Sequence, residues 1–310
     1  MTDSAANRGR VFVFGAAHQD LVLSVPELPV AGETVLAKTL TRGFGGKGAN
    51  QAIAAAVAGA PVTFIGTLGW DDEGGEILAN LADHGIDTSW TRQTGALPTG
   101  MAVVMVDSDG RNQIVVAPGA GAAYDLAVIA EVLDLVRAGD VILVQCEIPV
   151  AVVEFVVLAA AATAAVCVLN LAPYTPIDPA TLSAAGLIVV NESEASALLG
   201  AADAPAGDGP WSAISAALAT PCIVTLGEAG SVFSSPGGDV IRVPPQLVEE
   251  VVDTTGAGDV YVGTFGALLA CGATIADAMA EASAAAAESV LSRGAQSSSR
   301  IPRPITDRHR

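Results

Sequence analysis

Basic residues are scarce in this chain of 310 residues. It contains 14 Lys and Arg but 33 Asp and Glu, which gives a formal net charge of −19. Such a surface repels the phosphates of nucleic acids and anionic membranes. The composition therefore predicts no nucleic-acid partner and no membrane partner. Charged residues amount to only 15% and hydrophobic residues to 51%, which excludes a chain that is disordered along its whole length.

Closely spaced cysteines and an apolar leader are also missing. The four cysteines are far apart in sequence, and each lies in an apolar stretch, which predicts buried free thiols rather than disulfides or metal ligands. The polar N-terminus has no secretory apolar core, so we expect a cytoplasmic protein. An uncharged run at residues 155–169 is shorter than the roughly 18 to 20 residues of a membrane span. We interpret it as the end of a helix followed by a strand.

Short Val- and Ile-rich segments alternate with helix-like segments along most of the chain. Strands are predicted at residues 11–16, 62–67, 141–145, 165–169, 187–190 and 223–226. Helices are predicted at residues 49–58, 75–84, 125–137, 150–163, 192–199, 211–219 and 260–270. Apolar strands separated by helices indicate an α/β fold with a doubly wound, mostly parallel sheet covered on both faces.

Two regions break this alternation. Residues 21–40 and 100–116 have polar-interrupted β patterns with Gly and Pro turns, which are typical of a small antiparallel sheet. We interpret these regions as a β lid inserted into a single domain over residues 1–310. Such a lid would exclude water from a reactive site. Residues 301–310, with two Pro and three Arg, are predicted to form a flexible tail.

The most informative stretch is Asp253–Asp259, with the sequence DTTGAGD, which lies directly before the predicted helix at 260–270. A helix N-terminus presents unpaired N–H groups and a partial positive charge, and small residues let a phosphate approach these donors. Asp259 is placed to accept a proton from a hydroxyl that attacks this phosphate. The stretch therefore predicts phosphoryl transfer to an alcohol.

A second motif is Gly43–Asn50, with the sequence GFGGKGAN. Its glycines match the dinucleotide-binding pattern G-x-G-x-x-G, but the segment lies well after the first strand, and no G-x-x-x-x-G-K-[ST] string is present. We interpret it as a place where backbone approaches a small polar ligand, with Lys47 and Asn50 as donors. A Gly-rich turn followed by a helix cap is the structural alternative.

In this order, the two motifs resemble the paired signatures of the ribokinase/phosphofructokinase-B family of carbohydrate kinases, and the resemblance runs from about Val11 to Gln296. It implies a ribokinase-like fold and an ATP-dependent carbohydrate kinase. The expected reaction is phosphorylation of a hydroxyl of a sugar, a primary hydroxyl by preference, with ribose as the leading substrate. The resemblance also implies ATP, Mg²⁺ and K⁺ as ligands and a homodimer formed through the lid.

The resemblance assigns roles residue by residue. It matches Asp259 to the catalytic base, and Gly256, Ala257 and Gly258 to an anion hole for the transferring phosphoryl group. The sugar-contacting positions match His18, Asp20, Gly46, Lys47, Asn50, Glu147 and Asp259. The positions on the nucleotide and Mg²⁺ side match Asn191, Glu194, Thr225, Gly227, Gly230, Gly258 and Ser283. The positions of a K⁺ site match Asp253, Thr255, Ser289, Ser292, Gly294 and Ser298.

Some features leave alternatives open. Members of the family that act on ribose carry Asn where this chain has His18, and a neutral imidazole has only one donor and one acceptor. The substrate could therefore be a nucleoside or another sugar. A non-catalytic sugar-binding regulator on the same fold is an alternative from another class. Asn191 and Glu194 also match a helix N-cap with its capping-box partner.

Overall fold

The computed structural model describes residues 8–200, 211, 214–248 and 250–296. The strands, in chain order, are β1 Val11–Phe14, β2 His18–Ser24, β3 Thr39–Gly45, β4 Val62–Ile65, β5 Thr67–Gly69, β6 Arg92–Thr94, β7 Gly100–Val106, β8 Asn112–Ala117, β9 Val141–Gln145, β10 Val166–Asn170, β11 Leu187–Asn191, β12 Cys222–Thr225, β13 Ser231–Ser234 and β14 Val240–Val243. The α-helices are α1 Lys47–Val57, α2 Asp72–Asp83, α3 Leu126–Leu133, α4 Val150–Ala160, α5 Pro179–Ala184, α6 Glu192–Leu198, α7 Ile214–Leu218, α8 Ala257–Ala270 and α9 Ile275–Ser289.

An eight-stranded sheet forms the centre of the fold, in the order β14-β13-β12-β11-β10-β9-β1-β4. The pairs from β4 to β12 are parallel, whereas β13 and β14 add an antiparallel end that the sequence pattern did not predict. Successive side chains of a strand point to opposite faces. In β1, Phe12 and Phe14 accordingly pack in one core cluster, and Val11 and Val13 pack in the other. The predicted doubly wound, mostly parallel sheet is confirmed.

A four-stranded sheet, in the order β3-β2-β7-β8, is attached at the carboxyl end of β1 and is called the small sheet below. Its β2–β3 and β7–β8 pairs are antiparallel, but β2 and β7 are parallel. Its first strand begins at His18, before the predicted residues 21–40, and β3 extends to Gly45. Gly43 and Gly45, which would form a turn under the structural alternative above, are therefore strand residues.

Helix α8 is buried on nearly all sides, and two glycines allow its neighbours to come close. A Cβ atom at Gly263 would lie 2.3 Å from the backbone oxygen of Gln51 in α1. A Cβ atom at Gly266 would lie 2.8 Å from Cδ2 of Leu143 in β9. Because α1 and α8 pack so tightly, side chains in their first turns can meet across the interface.

The cysteines are free, as predicted. Burial raises the pKa of the thiols of Cys146, Cys167 and Cys222 to about 12. Cys271 is exposed, contrary to the prediction, because it follows the last residue of α8, where the chain leaves the core. Within the part of the chain that the structure describes, no helix combines the length and the apolar character that crossing a membrane requires.

Candidate active site

A cleft lies at the carboxyl edge of the parallel strands, where open α/β sheets bind their ligands. The ends of β10, β11 and β12 line it together with the first turns of α1, α6 and α8. Six of the predicted site residues, from separate segments of the chain, line this cleft: Lys47, Asn191, Glu194, Thr225, Gly258 and Asp259. The fold therefore brings parts of both long motifs to one place.

Asp259 lies in the first turn of α8 and is only 5% exposed. Its Oδ2 atom accepts a hydrogen bond from Nδ2 of Asn50 at 2.9 Å. Its Oδ1 atom accepts another from Nε2 of Gln51 at 3.0 Å. Both carboxylate oxygens therefore act as acceptors, which fixes the direction of the carboxylate.

The turn before α8 presents backbone amides to the cleft. Gly256 caps the helix with φ 80°, a conformation that favours glycine, and a Cβ atom there would lie 2.7 Å from Cα of Ala295. The N–H of Ala257 donates to the oxygen of Thr254 at 3.2 Å. Gly258 and Asp259 occupy the next two positions, where an α-helix supplies no acceptor. Among the described residues, a Cβ atom built at Gly258 would have no contact within 4 Å outside its chain neighbours and the backbone of its own helix, so the space beside this residue is open.

Lys47 and Glu147 meet at the start of α1. The backbone N–H of Lys47 donates to Oε2 of Glu147 at 2.7 Å, while the N-cap residue Gly46 gives no side-chain cap. The negative charge of Asp259, supported by those of Glu147 and Glu194, outweighs burial and raises the pKa of the Lys47 ammonium. Burial raises the pKa of Glu147, although the charges of His18 and Lys47 oppose this shift. The ammonium is therefore a stable positive charge in a largely acidic cleft.

His18 begins β2 and lies between two carboxylates. Its Nδ1 atom is 3.0 Å from Oδ1 of Asp20, and its Nε2 atom is 3.8 Å from Oε2 of Glu147. The imidazole is 7% exposed, and among the described residues neither ring nitrogen has a partner in hydrogen-bond geometry. Burial lowers the pKa of His18, but the contact with Asp20 and the charges of Glu147, Asp20 and Asp259 outweigh it, so the pKa is raised. Gly45 leaves room for this cluster, because a Cβ atom there would lie 2.3 Å from Oδ1 of Asp20.

Asn191 and Glu194 form the capping box that was the structural alternative. Oδ1 of Asn191 accepts from the N–H of Glu194 at 2.9 Å, and Oε2 of Glu194 accepts from the N–H of Asn191 at 2.8 Å. Both residues also line the cleft. Burial raises the pKa of the Glu194 carboxyl, with the charge of Lys47 opposing the shift. Helix capping thus fixes the direction of a carboxylate at the cleft.

The remaining residues predicted for the nucleotide side are spread out. Thr225 lines the cleft, and Gly227, with φ 54°, begins the 3-10 turn that follows β12. Packing alone accounts for a glycine at position 230, because a Cβ atom at Gly230 would lie 2.1 Å from the backbone oxygen of Val243. Ser283 is half-buried on α9 and does not belong to the described lining of the cleft.

Among the residues matched to a K⁺ site, Asp253 connects two loops by hydrogen bonds. The carboxylate of Asp253 accepts from the N–H of Thr255 and from the N–H of Gly294, both at 2.9 Å. The hydroxyl of Ser289 donates to the oxygen of Ala286 at 2.7 Å, and the exposed Ser292 follows α9. Ser298 lies outside the described residues. Within the described ranges no group of three or more His, Cys, Asp or Glu could hold a metal ion, so a cation here would need hydroxyl and carbonyl oxygens.

The sequence analysis missed a set of buried amides behind Asp259. Gln51, Gln145 and Asn170 form a connected group of hydrogen bonds, and Gln296 donates to Asn50 from the segment after α9. One signal was available, because Gln51 is a polar residue on the buried side of an Ala-rich helix. Its partners come from positions more than 90 residues away, with separations of 94, 119 and 208 residues, and only the fold brings them together.

The profile described as pfkB family carbohydrate kinase matches residues 8–302 of this sequence. The chain belongs to the pfkB family of carbohydrate kinases. This family member is similar to the ribokinase of Bacillus subtilis (strain 168), with 36% identity over 92% of this chain and 94% of that protein. Its identity to the ribokinase of Mus musculus is 33%, over 93% and 91% of the two chains.

Solved structures agree with this assignment of the kinase to its family. It is similar to the Arabidopsis thaliana ribokinase complexed with ribose and ATP, with a TM-score of 0.83 and 32% identity over 94% of this chain and 95% of that one. Its TM-score against the ribokinase of Giardia lamblia is 0.85, with 30% identity over 96% of both chains. The predicted family and the predicted α/β fold are confirmed.

The contacts of His18 with Asp20 and Glu147 predict the direction of the pKa shift of its imidazole in this pfkB-family kinase. In the wild-type protein the pKa of His18 should lie above the ordinary histidine value of 6.5. The Glu147→Gln variant should have a lower pKa at His18, because one of the charges that oppose burial is removed. A pH titration of the imidazole resonances by NMR measures both values, and loss of a resonance in His18→Asn assigns it. A wild-type pKa below 6.5 would contradict the proposed charge balance.

Proposed function

We propose that this chain transfers the γ-phosphoryl group of ATP to a primary hydroxyl of ribose. The observation that carries the proposal is the placement of Asp259, which is buried in the first turn of α8, accepts two amide hydrogen bonds, and lies beside Gly258 and Lys47 in one cleft. The similarity to proteins named ribokinase, including one solved with ribose and ATP, supports ribose as the acceptor.

In this proposal Asp259 acts as the general base. As the O–H bond of the sugar breaks, its proton passes to the carboxylate, and the sugar oxygen forms a bond to the γ-phosphorus. The bond from this phosphorus to the bridging oxygen breaks, and ADP leaves with the electron pair. The amides at Gly256, Ala257 and Gly258, together with Lys47, stabilise the charge on the phosphoryl oxygens.

Mg²⁺ bound to the phosphates of ATP would supply further positive charge. We place Asn191 and Glu194 on this side of the cleft, where their oxygens suit a hard cation directly or through water. Thr225, Gly227 and Gly230 would face the nucleotide, with Ser283 further along its path. The half-buried carboxyl of Glu194 supports this arrangement, because a nearby cation would favour its charged form.

His18, Asp20 and Glu147 would form the polar wall of the sugar pocket, with Gly46, Lys47 and Asn50 beside them. The two carboxylates can accept hydrogen bonds from sugar hydroxyls. An imidazolium at His18 can only donate, so a hydroxyl that meets it must accept. The raised pKa of His18, which burial alone would have lowered, supports the imidazolium form in the unliganded site.

A K⁺ ion would lie beside the anion hole, near Asp253, Thr255, Ser289, Ser292 and Gly294, while the matched position Ser298 lies outside the described residues. The link from Asp253 to both flanking loops supports the proposal, because it holds their backbone close together. A bound cation would place positive charge next to the amides that hold the phosphoryl group. The charge of Asp253 suits this role, since hydrogen bonds from the amides of Gly294 and Thr255 outweigh burial and lower the pKa of its carboxyl.

The small sheet would act as the lid of the site and as the dimer interface. Its edge strand β8 is exposed along its whole length, and Val115 is 64% exposed. An exposed apolar edge strand is a template for pairing with another chain. A second copy of this chain can pair with it about a two-fold axis. His18 belongs to the same sheet, so the lid and the sugar pocket share a strand.

The base assignment is tested by Asp259→Asn in an assay of ADP release with ribose, other pentoses, hexoses and nucleosides. The wild type should turn over ribose best, and the variant should lose about 10²–10⁴-fold in kcat because it lacks the proton acceptor. Sugar binding by calorimetry should change little. Asp83→Asn, on the exposed face of α2, serves as the matched control. Tight sugar binding without turnover of any substrate would instead indicate a binding regulator.

Potassium dependence is tested by replacing K⁺ with Na⁺ at constant ionic strength. Turnover of the wild type should be several-fold higher in K⁺, because the larger cation suits a site built mainly from carbonyl oxygens. The Asp253→Ala variant should show a lower rate with little difference between the two ions. Equal wild-type rates in K⁺, Na⁺ and a large organic cation would refute the proposed cation site.

Dimer formation is tested by light scattering coupled to size-exclusion chromatography. The wild type should have the mass of two chains, and Val115→Asp should shift it toward one chain because the charge disfavours burial of the strand edge. Leu158→Asp, at a 50% exposed position on α4, should remain dimeric. A monomeric wild type at micromolar concentration would rule out this interface.

A further inference from the structure

The carboxylate of Asp259 is held from the interior by a relay of buried amides. Gln51 is fully buried, and its Nε2 atom donates to Oδ1 of Asp259 at 3.0 Å and to Oδ1 of Asn170 at 2.9 Å. Its Oε1 atom accepts from Nε2 of Gln145, also fully buried, at 2.7 Å. Every hydrogen-bonding group of the Gln51 amide, except one oxygen lone pair, is therefore used within this relay.

One glycine makes room for the relay, and a second lets the backbones of α1 and α8 come close. A Cβ atom at Gly15 would lie 2.1 Å from Oε1 of Gln145, and a Cβ atom at Gly263 would lie 2.3 Å from the backbone oxygen of Gln51. Buried amides are costly unless their partners are all in place, and apolar side chains of the same shape are often as stable. Packing alone therefore gives little reason for two glutamines between α1, β9 and α8.

A second relay reaches the other carboxylate oxygen. Nδ2 of Asn50 donates to Oδ2 of Asp259 at 2.9 Å, and Oδ1 of Asn50 accepts from Nε2 of Gln296 at 2.9 Å. Oε1 of Gln296 in turn accepts from Nδ2 of Asn80 at 2.8 Å. Asn80 and Gln296 are half-buried, unlike the fully buried Gln51 and Gln145. The hydrogen bonds behind Oδ2 therefore lead to half-buried residues, whereas those behind Oδ1 stay in the interior.

We propose that Gln51, supported by Gln145, is a positioning residue that anchors Oδ1 of Asp259 and so presents Oδ2 to the substrate hydroxyl. The inference rests on the proposed function, in which Asp259 is the base. The proton of the sugar hydroxyl then passes to Oδ2 while Oδ1 keeps its amide donor. The Nδ2 group of Asn50 leaves Oδ2 when the hydroxyl arrives, and is free to donate to a sugar oxygen.

This assignment explains how Asn50 can hold the base before the sugar binds and contact the sugar afterwards. Without the inner relay, the carboxylate could rotate with Asn50 when the sugar enters. With the relay, one oxygen is fixed and only the outer contact changes partner. The rigid part of the site thus lies on the buried side of Asp259, where α1, α8 and the central sheet meet.

The proposal is tested with Gln51→Met, which keeps the length of the side chain and removes the amide. The kcat for the best sugar should fall about 10- to 100-fold, because a displaced base loses its alignment with the hydroxyl. The KM for the sugar should change little. The acid limb of the pH profile of kcat should move to higher pH, because a donor that favoured the charged carboxylate is gone.

Two further variants complete the test, one in the relay and one as a control. Gln145→Met, one hydrogen bond further from the base, should change kcat and the pH profile in the same direction by a smaller factor, and it serves as the test if Gln51→Met does not fold. Gln93→Met, at an exposed position of β6, is the matched control and should behave as the wild type. Circular dichroism and thermal melts establish which variants are folded.

The outcomes separate the inference from the function on which it rests. A folded Gln51→Met with wild-type kcat would overturn the inference alone. A parallel loss of stability, kcat and sugar affinity with an unchanged pH profile would also overturn it, since a purely structural glutamine behaves in that way. A wild type that phosphorylates no sugar, or a fully active Asp259→Asn, would overturn the proposed function and the inference together.

Discussion

Two neighbouring amides of α1, those of Asn50 and Gln51, hold the carboxylate of Asp259 on α8 by its two oxygens. Hydrogen bonds to a charged group contribute about 1.5–3 kcal/mol each, and here they also set a direction. They require α1 and α8 to be nearly in contact, which Gly263 permits. The same contact places the N-termini of both helices at one edge of the sheet. The sugar side and the phosphate side of the site therefore depend on a single helix pair.

The electrostatics of the site follow from this arrangement. Asp20, Glu147, Glu194 and Asp259 converge on a small region of an already acidic protein. The charges of Asp259, Glu147 and Glu194 raise the pKa of Lys47. Asp20, Glu147 and Asp259 raise the pKa of His18 against the effect of burial. Positive charge in the cleft thus comes from Lys47 and His18, whose protonated forms the neighbouring carboxylates favour. A cation that arrives with the nucleotide would meet a negatively charged surface.

The sequence predicted the parts of this protein that depend on local pattern. The parallel strands, the helix after Gly256 and the family follow from apolar periodicity and from two contiguous motifs. Helix α9 was missed because its Ala-rich sequence has little amphipathic contrast, and β13 and β14 were missed because polar residues interrupt them. The relay through Gln145 and Asn170 could not be predicted, since these residues meet Gln51 only when β9 and β10 pair. Long-range polar contacts leave no periodic signal in the chain.

Chain connectivity joins the proposed sugar pocket to the proposed base. The small sheet contributes His18 and Asp20 from β2, and its neighbour β3 continues through Gly46 into α1 with no intervening loop. The first turn of α1 then carries Lys47, Asn50 and, one residue on, Gln51. A sugar held by the small sheet, as proposed, would thus be connected to the oxygen atoms of Asp259 through one strand and one helical turn. Because that path is short and continuous, the position of the sugar and the orientation of the base are set by the same few backbone bonds.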